Sequence, residues 1–340
     1  MKLGEITSQG SSMTASSSSE YALGIDLGGT GIKAGVVSAH GTLLREWKVP
    51  TEAEKGGGYV VARMIALCRQ ILSELPEGIQ SGQIIGIGIG SPGVFDFKTG
   101  ALVAGAVNIP GLNGTPMRSI FEAELGLPTR VDNDANVFVL AEARSGAGRD
   151  ASVAVGYTIG TGIGGGVVIG GKVFHGAWGF AGELGHVTVE PEGIYCPCGN
   201  HGCMESYASA NAIATYARQA SEIHDNSILS GMSPDEITCK SVGEAAAQGD
   251  ALARHVIERA AFYLSVGIGS TVIALNPAVI IIGGGGALLG EMLFEPIRKH
   301  LRRRVYHQRV QSVDVVGAQL GVDAGIIGAA GLAFAERNSN

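Results

Sequence analysis

An α/β protein built from two duplicated lobes around a ligand cleft is the fold class that this chain predicts. Three observations carry that expectation. Short apolar runs alternate with segments of helical periodicity. The strand, glycine turn, strand pattern that opens at Tyr21 returns at 152–174, about 130 residues later. The 340 residues include 54 glycines and only 16% charged side chains, which suits tightly wound structure with many close backbone turns, not disorder or a coiled coil.

Taken in order, YALGIDLGGTGIKAGVVSAHGTLLREWKV from Tyr21 reads as three strands joined by turns. Residues 58–76 place Val60, Met64, Leu67, Ile71, Leu72 and Leu75 at helical spacing and stop at Pro76. IIGIGIG at 84–90 is a buried strand that ends at Ser91, Pro92 and Gly93. A short strand at 130–132 leads into Asn133, Asp134 and a helix to Ser145. The second half repeats the opening with SVAVGYTI, GTGIGGG and VVIGGKVF, and helices then dominate from Asn211 to about Ala274. AVIIIGGGG at 278–286 is a second buried strand, followed by a helix near Leu288, a strand at 312–316 and a small-residue helix. The expected division is a Ser-rich disordered tail over 1–20, with Met13 as an alternative start, then lobes at 21–133 and 134–322. The helix at 323–337 crosses back to the first lobe.

A net charge of −7 argues against a general nucleic-acid binder. The basic run Arg298, Lys299, His300, Arg302, Arg303 and Arg304 reads as a solvated helix face. Cys68 and Cys239 sit in no disulfide framework, as expected of cytosolic thiols. Neither a signal peptide nor an uncharged apolar stretch of about 18 residues free of turn signals is visible, so a soluble cytoplasmic protein is expected.

Three glycine corners follow apolar strands: Asp26-Leu27-Gly28-Gly29-Thr30, the run 160–166 with Thr161, Gly162 and Gly164, and Gly283-Gly284-Gly285-Gly286. Missing side chains let backbone N–H groups approach a phosphate, and two of the corners occupy matching positions of the duplicated halves. Asp26 heads the first corner, where its carboxylate either caps its own turn or meets Mg²⁺ beside a nucleotide phosphate. Asp134, in VDNDAN, is either a plain N-cap or the base that takes the proton of an attacking hydroxyl. Between Glu183 and Glu205 lies a Cys₃His set, His186 with Cys196, Cys198 and Cys203, which has the composition of a closed structural zinc site. His201 is its rival fourth ligand.

These residues together resemble the ROK family of sugar kinases and repressors, within the actin, sugar kinase and Hsp70 fold group. The resemblance runs from Tyr21 to about Glu336, and GELGH at 182–186 with CPCGNHGCME at 196–205 is similar to the family's CxCGxxGCxE signature. Pro197 is the one departure, where glycine is commoner. The resemblance implies two actin-like, ribonuclease H-like lobes and a structural zinc held by His186, Cys196, Cys198 and Cys203. It implies that Glu183, His186 and Glu205 face the sugar hydroxyls, with Asn108 and Asn133 opposite. Asp134 would then be the base, Gly28, Gly29, Thr30, Thr161, Gly162 and Gly164 phosphate contacts, and Gly283, Gly284 and Gly285 neighbours of the adenosine.

The activity implied is ATP-dependent phosphorylation of a hexose at its terminal hydroxyl with Mg²⁺, glucose to glucose 6-phosphate on likeness to the glucokinase branch. An N-acetylhexosamine kinase or fructokinase is the alternative substrate class, and polyphosphate the alternative donor. A sugar-responsive repressor is the alternative of another kind, disfavoured because twenty Ser-rich residues, not a helix-turn-helix domain, precede Tyr21. A homodimer or homotetramer is implied, with no nucleic-acid or membrane partner.

Overall fold

The computed structural model describes residues 20–306 and 313–335. The expected tail apart from Glu20, and residues 336–337 of the expected last helix, lie outside the described residues. The antiparallel meander is β1 (Tyr21–Leu27), β2 (Gly31–Ser38) and β3 (Leu43–Pro50), followed by α1 (Gly57–Ser73) and β4 (Ile84–Ser91). A hairpin of β5 (Val94–Asp96) and β6 (Ala101–Ala104), then α2 (Met117–Leu125), leads to β7 (Thr129–Asn133) and α3 (Asp134–Ser145). The pattern restarts with β8 (Val153–Ile159), β9 (Ile163–Ile169) and β10 (Lys172–Val173). Helices α4 (Glu205–Ala208), α5 (Ala210–Ser221), α6 (Cys239–Ala247) and α7 (Ala251–Leu275) precede β11 (Val279–Gly283), α8 (Glu291–Arg302), β12 (Asp314–Gly317) and α9 (Ala324–Ala335).

The duplication is borne out strand by strand. The sheets run β3-β2-β1-β4-β7 and β10-β9-β8-β11-β12, each an antiparallel meander extended by two parallel strands. The third strand of the second meander is cut to two residues. Gly170 and Gly171, both at positive φ (57° and 77°), turn the chain sharply between Ile169 and Lys172. The first sheet buries one face against α1 and α2 through Leu23, Ile25, Met64, Ile71 and Phe121, and its other face meets α9. The second sheet packs against α5 to α8 on one face and α3 on the other. Each sheet therefore lies between helical layers, and α3 and α9 meet where the two halves join.

That junction needs glycine. A Cβ at Gly24 would stand 2.0 Å from the Ile326 carbonyl oxygen, and one at Gly88 would stand 1.6 Å from that of Ala329. On α9, a Cβ at Gly328 would stand 1.9 Å from the Val137 carbonyl oxygen of α3. The fully buried Glu142 staples the same region: Oε1 accepts from the Gln319 and Leu320 N–H groups (2.9 and 2.8 Å) and Oε2 from Ala147 (2.8 Å).

Several local expectations shift. Helix α1 ends at Ser73, leaving Leu75 beyond it. The basic run is less solvated than its composition suggests. Arg298 donates to the Val315 carbonyl and pairs with Glu291, His300 meets Glu258 at 2.7 Å, and Arg304 lies 4.6 Å from the Phe262 ring centre. Helix α7 is long and apolar enough to cross a membrane by length and composition, yet 61% of its apolar 18-residue window is buried inside the protein.

Gly88→Ala is expected to lower unfolding free energy by about 3 kcal/mol, because the methyl meets backbone that cannot move aside. Gly58→Ala, on an exposed face of α1 where a Cβ meets nothing within 4 Å, should raise stability by about 0.5 to 1 kcal/mol. Denaturant unfolding of the pair checks both signs.

Candidate functional site

The duplicated strands deliver their polar ends to one place. Asp26 is the sixth residue of β1 and Thr158 the sixth of β8, so matching positions line one cleft of about 620 Å³. Its other walls are Asp134, Phe138, Gly283 to Gly285, Leu288 and the Gly317–Gly325 connection into α9. Helices α3 and α9 both begin at this cleft, through Asp134 and Ala324, and direct their positive ends into it. A second cavity of about 610 Å³ opens beside it, shares Gly285 and Leu288, and carries Asn211, Arg218, Thr238 and Lys240. Concave space of this size and mixed lining fits a nucleotide-sized ligand.

Asp134 is freed from the duty of capping. Asn133 is the N-cap of α3: its Oδ1 accepts from the N–H groups of Ala135 (2.8 Å) and Asn136 (3.4 Å), and its Nδ2 donates to the Gly93 carbonyl (3.0 Å). Asp134, one residue on, points into the cleft, where water reaches it although protein surrounds it on most sides. That crowding raises its pKa above the usual carboxylate value, against the pull of the Ala135 N–H.

Asp26 is raised too, chiefly by burial, with Lys33 opposing and the charge of Asp134 adding. Glu183 is raised by burial, opposed by His186 and pushed further by Asp134 and Glu205. Three carboxylates are thus held reluctantly ionised in one neighbourhood, with Glu205 beside them, an arrangement found at working sites more than in ordinary surfaces.

The glycine corners divide in role. Gly29, Thr30 and Thr161 are exposed. Thr51 clamps the first corner from behind: fully buried, it donates its N–H to Thr30 O (3.1 Å) and its hydroxyl to Gly28 O (2.7 Å). At Gly162 a Cβ would stand 2.2 Å from Glu205 Oε2, which accepts from the Ile163 N–H at 2.7 Å. Its missing side chain therefore admits a carboxylate. At Gly164 a Cβ would meet Thr158 and Ala135, and at Gly283 it would meet Phe138, so both serve packing. Gly284, at φ 79°, turns the backbone over Ile159, and Gly285 has open space where a side chain would be. Asn108 stands exposed in the loop after β6.

The Cys₃His set converges. One ligand atom from each of His186, Cys196, Cys198 and Cys203 lies within 4.8 Å of all the others, with His186 Nδ1 3.7 Å from Cys196 Sγ and the Cys198 and Cys203 sulfurs 3.6 Å apart. His201 Nδ1 meets the Gly193 carbonyl at 3.2 Å, and His201 is not part of the converging set. Burial and the adjoining thiols push Cys203 up to about 12, while the Asn200 backbone N–H holds exposed Cys198 below the usual thiol range. The spacing and the donor set fit a tetrahedral thiolate and imidazole centre.

Sequence reasoning missed Asp132 and His175, whose Oδ2 and Nε2 stand 2.6 Å apart next to Asn133, and the Gly321–Gly325 wall, where a Cβ at Gly325 would meet Asp26. His175 belongs to no motif. The glycines of GAQLGVDAG were the only signal for the second feature.

Known proteins match along almost the whole length. A glucokinase of Halalkalibacterium halodurans is 38% identical, the alignment covering 95% of this chain and 97% of that protein. A glucokinase of Thermotoga maritima is 36% identical over 91% and 96%. A ROK hexokinase from Thermus thermophilus superposes with a TM-score of 0.79 at 35% identity over 94% and 100% of the two chains. A glucokinase from Streptomyces griseus, solved with glucose and AMPPNP, gives 0.74 at 35% over 92% and 98%. The model of the ROK family matches residues 22–336, which take in both glycine-cornered meanders, the Asp134 turn and the thiol cluster; the chain belongs to the ROK family.

Proposed function

We propose that this chain is an ATP-dependent glucokinase, transferring the γ-phosphoryl group of ATP to the terminal hydroxyl of glucose. The observation that carries the reading is Asp134. It stands uncapped at the start of α3 on the wall of a nucleotide-sized cleft, with its pKa raised. The glucokinases at 38% and 36% identity, and the glucose and AMPPNP complex of a 35% identical relative, support the substrate pair. The lobes lie at 21–133 and 134–322, with the last helix returning to the first.

The chain's residues would act as follows. The corners at Gly28, Gly29 and Thr30 and at Thr161, Gly162 and Gly164 would contact the phosphates, with the Gly28 and Ile163 N–H groups already given to Gly31 O and Glu205 Oε2, and the positive ends of α3 and α9 add to the field. Gly283 to Gly285 lie against the adenosine, which extends into the neighbouring cavity. Glu183, His186 and Glu205 take the sugar hydroxyls on one side, with Asn108 and Asn133 on the other. Asn133 already spends its oxygen on two N–H groups of α3 and one Nδ2 hydrogen on Gly93, so the second Nδ2 hydrogen is what it has left to offer the sugar. Asp134 accepts the proton of the hydroxyl as its oxygen attacks the γ-phosphorus, and closure of the lobes excludes water. Mg²⁺, which Asp26 would hold through water, supplies charge neutralisation to the phosphates when bound. Zinc would be held by Cys196, Cys198, Cys203 and His186 Nδ1, which leaves Nε2 free toward the sugar side and fixes Glu183 and Glu205 around it.

Asp134→Asn should lower coupled-assay turnover on glucose by about a thousandfold or more while glucose binding stays within about threefold. Its melting temperature should hold or rise. A carboxylate whose folded pKa lies above its unfolded one opposes folding at pH values above both, and the amide removes that term. Normal turnover in this variant would end the assignment of the base, and a larger kcat/KM on an N-acetylated hexosamine would end the assignment of glucose.

The base must be ionised, so kcat/KM should fall as pH drops through the raised pKa of Asp134, with an acid limb above that of an ordinary aspartate. A limb at or below the ordinary value contradicts the site. Elemental analysis should find one zinc per chain, lost in Cys198→Ser, whose KM for glucose rises more than its kcat falls.

A further inference from the structure

Residues 174–183 form a strap that leaves β10 and lies on the first half of the molecule. A Cβ at Gly179, with φ 86°, would stand 2.9 Å from the Phe95 carbonyl, and His175 stacks on Phe97 with ring centres 5.5 Å apart at 12°. The strap closes on itself through Ala181 N–H to His175 O at 3.2 Å and ends at Glu183.

His175 Nε2 meets the buried Oδ2 of Asp132 at 2.6 Å. The other oxygen of that carboxylate accepts from Asn136 Nδ2 (2.9 Å) and from the Asn133 N–H (2.8 Å), so His175 is the only partner of Oδ2 among the described residues. Asp132 precedes Asn133 and Asp134 directly, and it belongs to β7 of the first sheet, whereas His175 follows β10 of the second. The gap enclosed by Asp132, Asn133, Asn136, His175 and Glu183 is about 10 Å³, the room of one water at most.

We propose that His175 is a positioning residue that latches the strap, and Glu183 with it, onto the turn that carries Asn133 and Asp134. The latch rests on the kinase reading and adds to it a link between the two sides of the sugar site. Removing the imidazole leaves a buried carboxylate oxygen without a donor, so the strap lifts and Glu183 loses its register with the sugar. Asp134 stays in place because Asn133 still caps α3. Phosphoryl transfer is therefore spared once the sugar is bound.

The test compares wild type, His175→Ala, His175→Asn and His175→Gln as full-length protein. Amide hydrogen exchange over 174–183 should quicken about tenfold in the Ala variant and in Asn, whose amide is too short to reach Asp132, while exchange in α7 stays as in wild type. The KM for glucose should rise about tenfold in both, with kcat and the KM for ATP within about threefold. Gln, whose Nε2 donates near the position of the imidazole nitrogen, should recover most of both effects. Unchanged exchange in the strap, equal losses in both KM values, or a Gln variant no better than Ala would each overturn the latch. If the wild type phosphorylates no hexose, the kinase reading falls, and exchange in the strap still decides whether the latch exists.

Discussion

The seam between α9, the first sheet and α3 is the contact on which the other distances depend. Backbone rests on backbone there, at Gly24 under Ile326, Gly88 under Ala329 and Gly328 against Val137, with no side chain as a spacer. Because α3 lies on the second sheet and α9 on the first, this seam sets how far apart the duplicated meanders stand. The cleft opens at the end of the same two helices, so their close packing and their shared direction toward the ligand have one cause. Glu142 completes the seam by turning a costly buried carboxylate into an acceptor for three backbone N–H groups.

At the cleft the physics runs the other way. Asp26, Asp134 and Glu183 are crowded so that each is harder to ionise than it would be in water, and two of the three feel the charge of the third. A fold seeking only stability would not assemble them. Such a cluster is useful where a proton has to be taken, a cation held and hydroxyl groups bound, which is the chemistry proposed. The thiol and imidazole knuckle belongs to the same design. It sits between Glu183 and Glu205 in the chain, so a metal drawn by its four donors would fix the segment that carries both acids.

Much of the fold was legible because strands and glycine turns repeat. The order of each meander followed from its local pattern, and the Cys₃His set from spacing that a loop of some eighteen residues can close. Roles at single positions were less legible. Gly162 reads as a phosphate contact and Gly283 as a neighbour of the adenosine, and nothing local shows that their missing side chains also make room for Glu205 and Phe138, partners distant in sequence. On spacing alone Asp134 could be either cap or base, and only the side-chain directions at 133 and 134 give the cap to Asn133. His175 carried no signal, because its partner lies 43 residues away in the other sheet.

By itself the sequence determined the α/β class, the duplicated meanders, the members of the Cys₃His set and the candidate base, all of which rest on patterns among near neighbours in the chain. Tertiary structure decided which glycines make room for distant side chains and how the strap of one half meets the Asp132–Asp134 turn of the other. Those outcomes depend on the approach of segments tens to hundreds of residues apart, a distance that no local periodicity encodes.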